Sequence, residues 1–328
     1  MYQMMSLPLY SGTFQEYDSW RDLGQELERL GCDGIEGVWG GEDLPKDLPA
    51  ELILGYHLIF YPDWLDFYRD DRAALKQKFG SLEAVASFYG GLGPDTLLEQ
   101  YRADLRRAVN LGARYVVFHV SDVSLEEGYT YRWLPTNQEV IDAAVEVVNL
   151  ILGEERWPFE FLVENQWWPG FTFTEPEETA RLLEGIRFAG KGILLDTGHL
   201  MNACTELKTE AEGADYIRSM LNRHGSLAKW VRGVHLHQSL SGAYVKAHTG
   251  SLPAGLPEDY MERFGVSYQH ILQIDQHRPW TDPAILPVLE QIEPRYLTHE
   301  LSSRGRMARA EAVSVQTRLL QQGGRMRV

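Results

Sequence analysis

Short runs of hydrophobic residues recur along the chain, and most of them end in His, Asp or Glu. A continuous run of about four to eight Val, Ile, Leu and Phe residues is typical of a strand buried on both faces, as parallel strands inside an α/β fold are. Eight such strands can be placed, and eight is the number that a closed parallel barrel needs. They are predicted at residues 3–8, 34–39, 52–60, 115–121, 159–165, 192–196, 231–237 and 296–301.

Amphipathic segments separate these strands and predict helices, because their apolar residues recur at helical spacing. Several of the segments end in Gly, the residue that most readily adopts the left-handed conformation closing a helix, and one begins at Pro176. The alternation of strands and helices predicts an α/β fold, a single (β/α)8 TIM barrel. The clearest helical segments are SWRDLGQELERLG, DTLLEQYRADLRRAVNLG, NQEVIDAAVEVVNLILG, EPEETARLLEGIRFAG, AEGADYIRSMLNRHG and the last one, RGRMARAEAVSVQTRLLQQ.

Two connections are longer than is usual in a compact domain, at about 61–95 and at about 238–282. Both follow strands, so in a barrel both would lie on the C-terminal face, where the active sites of such barrels are found. Long loops at this position are usually lids or surfaces for partners. The sequence therefore predicts one barrel domain over 1–322 with these two insertions, followed by a short C-terminal tail at 323–328.

Composition and charge narrow the function classes. The net charge of −16 opposes a nucleic-acid partner, because phosphate contacts need clustered Lys and Arg. Cys32 and Cys204 are far apart in sequence, which argues against a disulfide framework and against a thiolate zinc site. The sequence has no apolar run long enough for a membrane span, and its first residues lack the pattern of a signal peptide. A cytoplasmic protein without membrane or nucleic-acid partners is expected.

The polar residues at the strand ends are the candidates for chemistry. In a closed barrel the C-terminal strand ends form one rim, so side chains from distant parts of the chain converge there. Buried carboxylates are costly unless they are paired or bound to a cation. Mixed imidazole and carboxylate ligands without Cys suit zinc, manganese, iron or cobalt, so a divalent metal centre is predicted. The residues concerned are His57, His119, Glu164, Asp196, His199, His235, His237 and Glu300.

The segments LLDTGHLMN and VHLHQSLSGAYVKAHTG resemble motifs of the xylose isomerase-like TIM-barrel superfamily, which contains sugar isomerases, epimerases and apurinic-site endonucleases. The resemblance covers about residues 35–302. In its epimerase branch four residues bind one cation, and Glu164, Asp196, His235 and Glu300 match those positions. The resemblance implies that Glu164 and Glu300 also exchange protons with the substrate, next to a carbonyl group polarised by the metal.

The endonuclease branch of this superfamily adds histidines that build a cluster of up to three metal ions. His57 and His119 match the positions that complete a first set with a bridging Glu164, while His199 and His248 match a third set. The family carries Asp two residues before its last histidine, whereas this chain has Lys246 there. The resemblance therefore implies one to three metal sites, with Lys246 open to contact a substrate phosphate instead.

Other side chains near the strand ends are candidates for binding the substrate. His237, Gln166 and Trp167 could contact a substrate, and tryptophans in the loops offer flat apolar walls. For Glu36, at the end of the second strand, a structural role is preferred. His277, in DQHRPW, could reach the rim, and the sequence assigns it no role.

Two functions remain open at this point, and the first is preferred. The first is a metal-dependent isomerase or epimerase of a small sugar or sugar-like substrate, favoured by the pair of glutamates, the acidic charge and the aromatic loops. The second is a di- or trinuclear zinc or manganese phosphoesterase acting on a small phosphodiester, which explains the additional histidines better. A non-catalytic binding barrel is the third alternative. Related barrels form dimers or tetramers, so the resemblance also implies a homo-oligomer.

Overall fold

Eight parallel strands form a closed barrel in the computed structural model, which describes residues 1–323. Each strand pairs with the next one in sequence, and β8 pairs with β1 to close the ring. All eight predicted strands, and with them the predicted barrel, are confirmed. The strands are β1 (Tyr2–Leu9), β2 (Gly34–Trp39), β3 (Ile53–His57), β4 (Tyr115–His119), β5 (Glu160–Glu164), β6 (Lys191–Asp196), β7 (Val231–His235) and β8 (Tyr296–His299).

Several predicted strands run too far toward the C-terminus, and the clearest case is β3. It ends at His57, although the apolar pattern continues to Phe60. Leu58 is buried and its N–H still donates to the carbonyl of Val117 at 3.0 Å, but the chain then turns outward over the rim. Hydrophobic periodicity reports burial, and burial continues here after strand pairing has ended.

Helices surround the barrel and also form the two insertions. The six helices predicted from amphipathic segments are confirmed, at Trp20–Leu30, Pro94–Asn110, Asn137–Leu152, Pro176–Gly185, Glu210–His224 and Arg306–Gln322. Between β2 and β3 the connection at 40–52 contains only a 3-10 turn, Ala50–Leu52. The helices are α1 (Ser11–Phe14), α2 (Trp20–Leu30), α3 (Leu65–Tyr68), α4 (Arg72–Phe79), α5 (Leu82–Tyr89), α6 (Pro94–Asn110), α7 (Leu125–Thr130), α8 (Asn137–Leu152), α9 (Pro176–Gly185), α10 (Thr197–Asn202), α11 (Glu210–His224), α12 (Gly242–His248), α13 (Tyr260–Ile274), α14 (Leu286–Ile292) and α15 (Arg306–Gln322).

The two long connections meet above the C-terminal end of the barrel. The connection after β3 carries α3, α4 and α5, and the connection after β7 carries α12 and α13. The ring of Tyr260 on α13 stacks on Phe79 of α4, with centroids 3.9 Å apart, and meets Phe88 of α5 edge to face at 5.4 Å. Arg263 donates to the carbonyl of Lys78 at 3.2 Å. These contacts join the two segments into a roof over the rim.

The outer shell of the barrel is held by apolar packing between helices and strands. Side chains such as Leu23, Leu105, Val147 and Ile217 are fully buried where α2, α6, α8 and α11 lie on the sheet. Among the described helices, none combines the length and the apolar character that crossing a bilayer requires. Of the predicted tail at 323–328, all but Gly323 lies outside the described residues.

Candidate metal centre

Ten imidazole and carboxylate side chains converge at the C-terminal rim of the barrel. They form three groups, and within each group one ligand atom per residue lies within 4.8 Å of the others. The first and middle groups share Glu164, which also lies 3.3 Å from His199 of the third group. The first group is His57, His119 and Glu164; the middle group is Glu164, Asp196, His235 and Glu300; the third group is His199, His237, Asp275 and His277.

The carboxylate of Glu164 lies at the centre of this arrangement and is completely buried at the end of β5. Its Oε2 lies 3.3 Å from His57 Nε2 and 3.0 Å from His119 Nε2. Its Oε1 lies 3.2 Å from His235 Nδ1 and 3.3 Å from His199 Nδ1. One oxygen thus faces the first group, and the other lies between His235 of the middle group and His199 of the third group, so Glu164 could be shared between cations held there.

Electrostatics keeps this carboxylate ionised. Burial raises the pKa of Glu164, but the neighbouring imidazoles of His119 and His235 outweigh it and hold the pKa well below its usual range. In the third group, burial lowers the pKa of His277, while the Asp275 carboxylate raises it to about 10. The carboxylates of the site therefore stay ionised and attract positive charge, from imidazolium groups or from cations.

Glu36 on β2 contacts the middle group through the imidazole of His235. His235 Nδ1 lies 2.8 Å from Glu300 Oε2, and its other ring nitrogen, Nε2, lies 2.8 Å from Glu36 Oε1. Glu36 is completely buried and accepts hydrogen bonds from Tyr115 at 2.5 Å and from Thr298 at 3.0 Å. A carboxylate behind an imidazole in this way fixes the orientation of the ring, as outer partners of metal-binding histidines do. The structural role expected of Glu36 agrees with this position.

The turn after β6 aligns the middle and third groups. Asp196 caps α10 by accepting from the backbone N–H of His199 at 2.6 Å, so the two side chains leave the same turn. Gly198 lies between them, and a Cβ atom there would come within 2.0 Å of the His237 imidazole. His237 Nε2 lies 2.8 Å from Asp196 Oδ2. Any side chain at position 198 would displace His237 from this contact.

The third group differs from the sequence-based expectation. Asp275 Oδ2 lies 3.2 Å from His199 Nε2 and 2.5 Å from His277 Nε2, and the His237 ring stacks on His277 with centroids 4.1 Å apart. Asp275 and His277 therefore occupy the position that His248 was expected to fill. The pattern that the resemblance requires, Asp two residues before His, is present in the sequence as DQH at 275–277.

Neither His248 nor Lys246 reaches the centre. Both are exposed at the end of α12, where the helix carries them away from the rim. His248 Nδ1 lies 3.0 Å from the carbonyl oxygen of Tyr244, and Lys246 pairs with Glu206 at 2.7 Å. The expectation that His248 is a ligand of the third group is therefore wrong, and so is the expectation that Lys246 contacts a substrate phosphate at this centre. The seven other ligands that the resemblance implies are all brought together, and His237, expected as a substrate contact, lies with His199 in the third group.

The donor set fits divalent metal ions. The Nε2 atoms of His57 and His119 lie 3.0 Å apart, both facing Glu164 Oε2. Glu164 Oε2 and Glu300 Oε2 are buried against imidazole nitrogens, and Asp275 Oδ1 is buried without a hydrogen-bond partner. Buried polar atoms without partners are costly, whereas convergent imidazole and carboxylate atoms are what zinc, manganese, iron and cobalt bind.

A cavity of about 520 Å³ opens onto this centre beneath the roof. His57, His119, His199, His277 and Glu300 contribute to its lining at the metal end. Two of the predicted substrate contacts line it as well: Gln166, whose Nε2 lies 3.0 Å from His199 Nδ1, and Trp167, whose ring centroid lies 5.1 Å from that of His199. The arrangement can hold cations at one end and a small organic molecule at the other.

Comparison with known proteins supports the fold. The family model described as xylose isomerase-like TIM barrel matches residues 25–288. No curated protein matches the chain. A D-tagatose 3-epimerase-like protein is similar in structure, with a TM-score of 0.53 and 15% identity over 99% of this chain and 98% of that one.

Two further solved structures show the same architecture. Mannonate dehydratase from Streptococcus suis serotype2 has a TM-score of 0.53 and 13% identity, over 99% of this chain and 94% of that one. L-ribulose 3-epimerase has a TM-score of 0.52 and 13% identity, over 99% and 96%. At these identities the similarity establishes a shared fold, and function has to be argued from the site.

Proposed function

Since the chain belongs to the xylose isomerase-like TIM-barrel family, we propose that its rim holds a multinuclear metal centre and that the protein is a metal-dependent hydrolase of small phosphodiesters. Both this activity and sugar isomerisation are compatible with the fold, so the choice depends on the ligand geometry. Of the two functions left open by the sequence, the geometry favours the phosphoesterase.

The observation that carries this proposal is the enclosure of Glu164. Proton transfer to and from a sugar needs two carboxylates that face the substrate from opposite sides. Glu164 is completely buried, and each of its oxygens lies against two imidazoles, so it has no free oxygen for a substrate. A carboxylate in this position is suited to bridging cations and poorly suited to acting as an acid or a base.

The additional ligands support the same choice. A one-ion centre would be complete with the middle group alone. The first and third groups add further ligands on two sides: His57 and His119 on one, and His199, His237, Asp275 and His277 on the other. Centres with more than one metal ion suit in-line displacement at phosphorus, because both the attacking and the leaving oxygen need stabilisation.

The proposed reaction is hydrolysis of one ester bond. The oxygen of a water molecule bonds to phosphorus, the bond from phosphorus to one ester oxygen breaks, and the products are a phosphomonoester and an alcohol. When bound, the divalent ions would activate the attacking water and neutralise charge on the phosphorus oxygens. The three groups of ligands would hold these ions.

Side chains of the protein orient the centre and shield it. Glu36 fixes the ring of His235, and Gln166 fixes His199. The roof formed by α4, α5 and α13 limits the access of bulk water, which strengthens electrostatic interactions beneath it. Glu300, whose side chain is 19% exposed and lines the cavity, is the carboxylate best placed to contact a bound substrate.

The second candidate is the isomerase or epimerase of a small sugar. It is supported by the middle group, which could hold a single ion by itself, and by the access of Glu300 to the cavity. It predicts one metal ion per chain and no requirement for His57.

Metal content and activity together test the proposal. Protein purified without chelator should contain about two or three metal ions per chain and hydrolyse bis(p-nitrophenyl) phosphate. His57→Ala should lose about one equivalent and reduce hydrolysis at least ~100-fold, because second-metal sites stabilise the leaving oxygen. His248→Ala, which alters an exposed histidine outside the centre, serves as the matched control and should change neither quantity. One ion per chain, retained in His57→Ala together with turnover of keto sugars, would overturn the proposal in favour of the epimerase.

A further inference from the structure

The cavity beside the candidate metal centre has walls of a different character from its metal end. Aromatic side chains from four separate segments form them: Phe60 after β3, Phe88 on α5, Trp167 and Trp168 after β5, and Phe264 and Tyr268 on α13. The Trp167 and Trp168 rings lie beside each other with centroids 4.2 Å apart. The cavity volume of about 520 Å³ is in the range of sites that bind drug-sized molecules.

Charge is confined to one end of this cavity. Among the described residues, no lysine or arginine lines it, and its only carboxylates, Asp275 and Glu300, belong to the metal centre. A negatively charged group would therefore be held at the metal end alone. The part of a ligand that lies between the aromatic walls must carry no negative charge, because no cation there would compensate it.

Three buried donors in the walls lack hydrogen-bond partners, and the indole Nε1 of Trp167 is one of them. The indole Nε1 of Trp168 can only donate, and this residue is 9% exposed. The hydroxyl oxygen of Ser267 on α13, a residue 5% exposed, also has no partner. Buried donors of this kind destabilise a protein unless something accepts from them, and all three residues line the cavity.

We propose, as an inference that rests on the proposed function, that one of the two organic groups esterified to the phosphate of the substrate is a flat aromatic ring. This ring bears hydrogen-bond acceptors. The ring lies between the aromatic walls while the phosphodiester lies at the metal centre, and Trp168 and Ser267 donate to the acceptors of the ring. A hydroxyl-rich sugar would leave several of its own groups unpaired against these walls, and a saturated ring would fill the space without the stacking geometry.

Phosphonate monoesters that resist hydrolysis test this inference by titration calorimetry on the metal-loaded protein. Methyl methylphosphonate, methyl cyclohexylphosphonate, methyl phenylphosphonate and methyl (p-nitrophenyl)phosphonate carry the same single charge and differ only in the group on phosphorus. The phenyl compound should bind about 30-fold tighter than the methyl compound from burial of its surface. It should bind about 3- to 10-fold tighter than the cyclohexyl compound because of ring stacking. The nitro group should add about fivefold through its hydrogen bonds.

Two variants and a control separate the contributions. Trp168→Phe keeps a ring but removes the N–H, so it should reduce the gain from the nitro group, to which Ser267 still donates, and keep most of the preference for phenyl over methyl. Phe264→Ala should reduce the preference for phenyl. Trp157→Phe is the control, because Trp157 lies near the start of β5 and donates to the carbonyl of Leu152 instead of lining the cavity. It should bind the whole series as the unaltered protein does.

The outcomes distinguish this inference from the proposed function. Equal affinity for the methyl and phenyl compounds, no binding of either, or equal or tighter binding of the cyclohexyl compound would overturn the inference even if bis(p-nitrophenyl) phosphate is hydrolysed. A preference for the ring that Phe264→Ala removes, in a protein that hydrolyses no phosphodiester, would support the inference and overturn the proposed function.

Discussion

At the scale of single residues, the placement of a few carboxylates decides the chemistry. Glu164 is turned entirely toward histidines, whereas Glu300 lines the cavity. Two glutamates that look equivalent in sequence, each at the end of an apolar strand, are therefore suited to different tasks. The environment of each carboxylate, and not its residue type, determines what it can do.

The third group gives a direct test of the corrected ligand assignment. His277→Ala should lower the metal content by about one equivalent, because it removes one imidazole ligand and leaves Asp275 without its neighbour. His248→Ala is expected to retain the full metal content. Elemental analysis of both variants provides the measurement, and a loss confined to His248→Ala would reverse the assignment.

Glu36 provides a second test at this scale. Glu36→Gln preserves the size of the side chain but removes the charge that faces His235 Nε2. Loss of such an outer partner weakens metal binding about 10- to 100-fold, and the same loss is expected here. Competition with a chelating dye would measure it. Asp33→Asn, which alters an exposed carboxylate that accepts from the backbone of Gln3, is the control. Unchanged affinity in Glu36→Gln would mean that the ring of His235 is held by its other contacts.

The sequence predicted most of the site because the ligands follow strands. His57, His119, Glu164, Asp196 and His235 each end a strand, so the barrel alone brings them together. Asp275 and His277 follow α13 in an irregular loop, and no periodicity connects that loop to the rim. Their Asp-x-His spacing was the available signal, but spacing does not reveal which of two histidines lies closer in space.

At the scale of elements, the roof depends on aromatic contacts between two segments that are far apart in sequence. Phe79 and Phe88 come from the connection after β3, and Tyr260 comes from the connection after β7. The sequence indicated two long functional loops, but it did not predict the helices within them. The first of these connections divides its helical residues among three short helices, α3 to α5, of which the longest have eight residues. Such helices are stabilised mainly by packing on other elements.

Removal of the Tyr260 ring should loosen the roof. Tyr260→Ala is expected to lower the free energy of unfolding by about 3 kcal/mol, the usual cost of deleting a large buried ring. Amide hydrogen exchange in 58–93 and 236–282 should become faster, while exchange in the barrel strands stays slow. Met261→Ala is the matched control on the same helix, because its side chain is 53% exposed. Equal exchange in both variants would show that the stack does not hold the roof.

At the scale of the whole molecule, the barrel brings together charged side chains that are as far apart in sequence as Glu36 and Glu300. Such a centre is costly to fold unless cations compensate the carboxylates. The closed ring was predictable from eight apolar runs, because only closure brings so many strand ends together. The position of the roof was not, since it depends on contacts between two insertions.

Metal removal should therefore affect stability as well as activity. Dialysis against a chelator is expected to lower the Tm by about 5–15 °C, since a ligand that binds only the folded state stabilises it by mass action. Addition of zinc or manganese should restore the Tm. Scanning calorimetry checks both steps. An unchanged Tm after verified loss of metal would mean that protonated imidazoles compensate the carboxylates equally well.

The order of the ligands along the chain has a consequence for biosynthesis. The first group is complete once the chain has been made as far as Glu164, whereas the middle group also needs Glu300, which follows the strand that pairs with β1. Domains generally fold as units, and this barrel closes only when β8 lies beside β1. The chain up to Glu164 thus carries the three ligands of the first group, but the middle group is assembled only when the ring closes. Maturation of the centre and completion of the barrel are then one event.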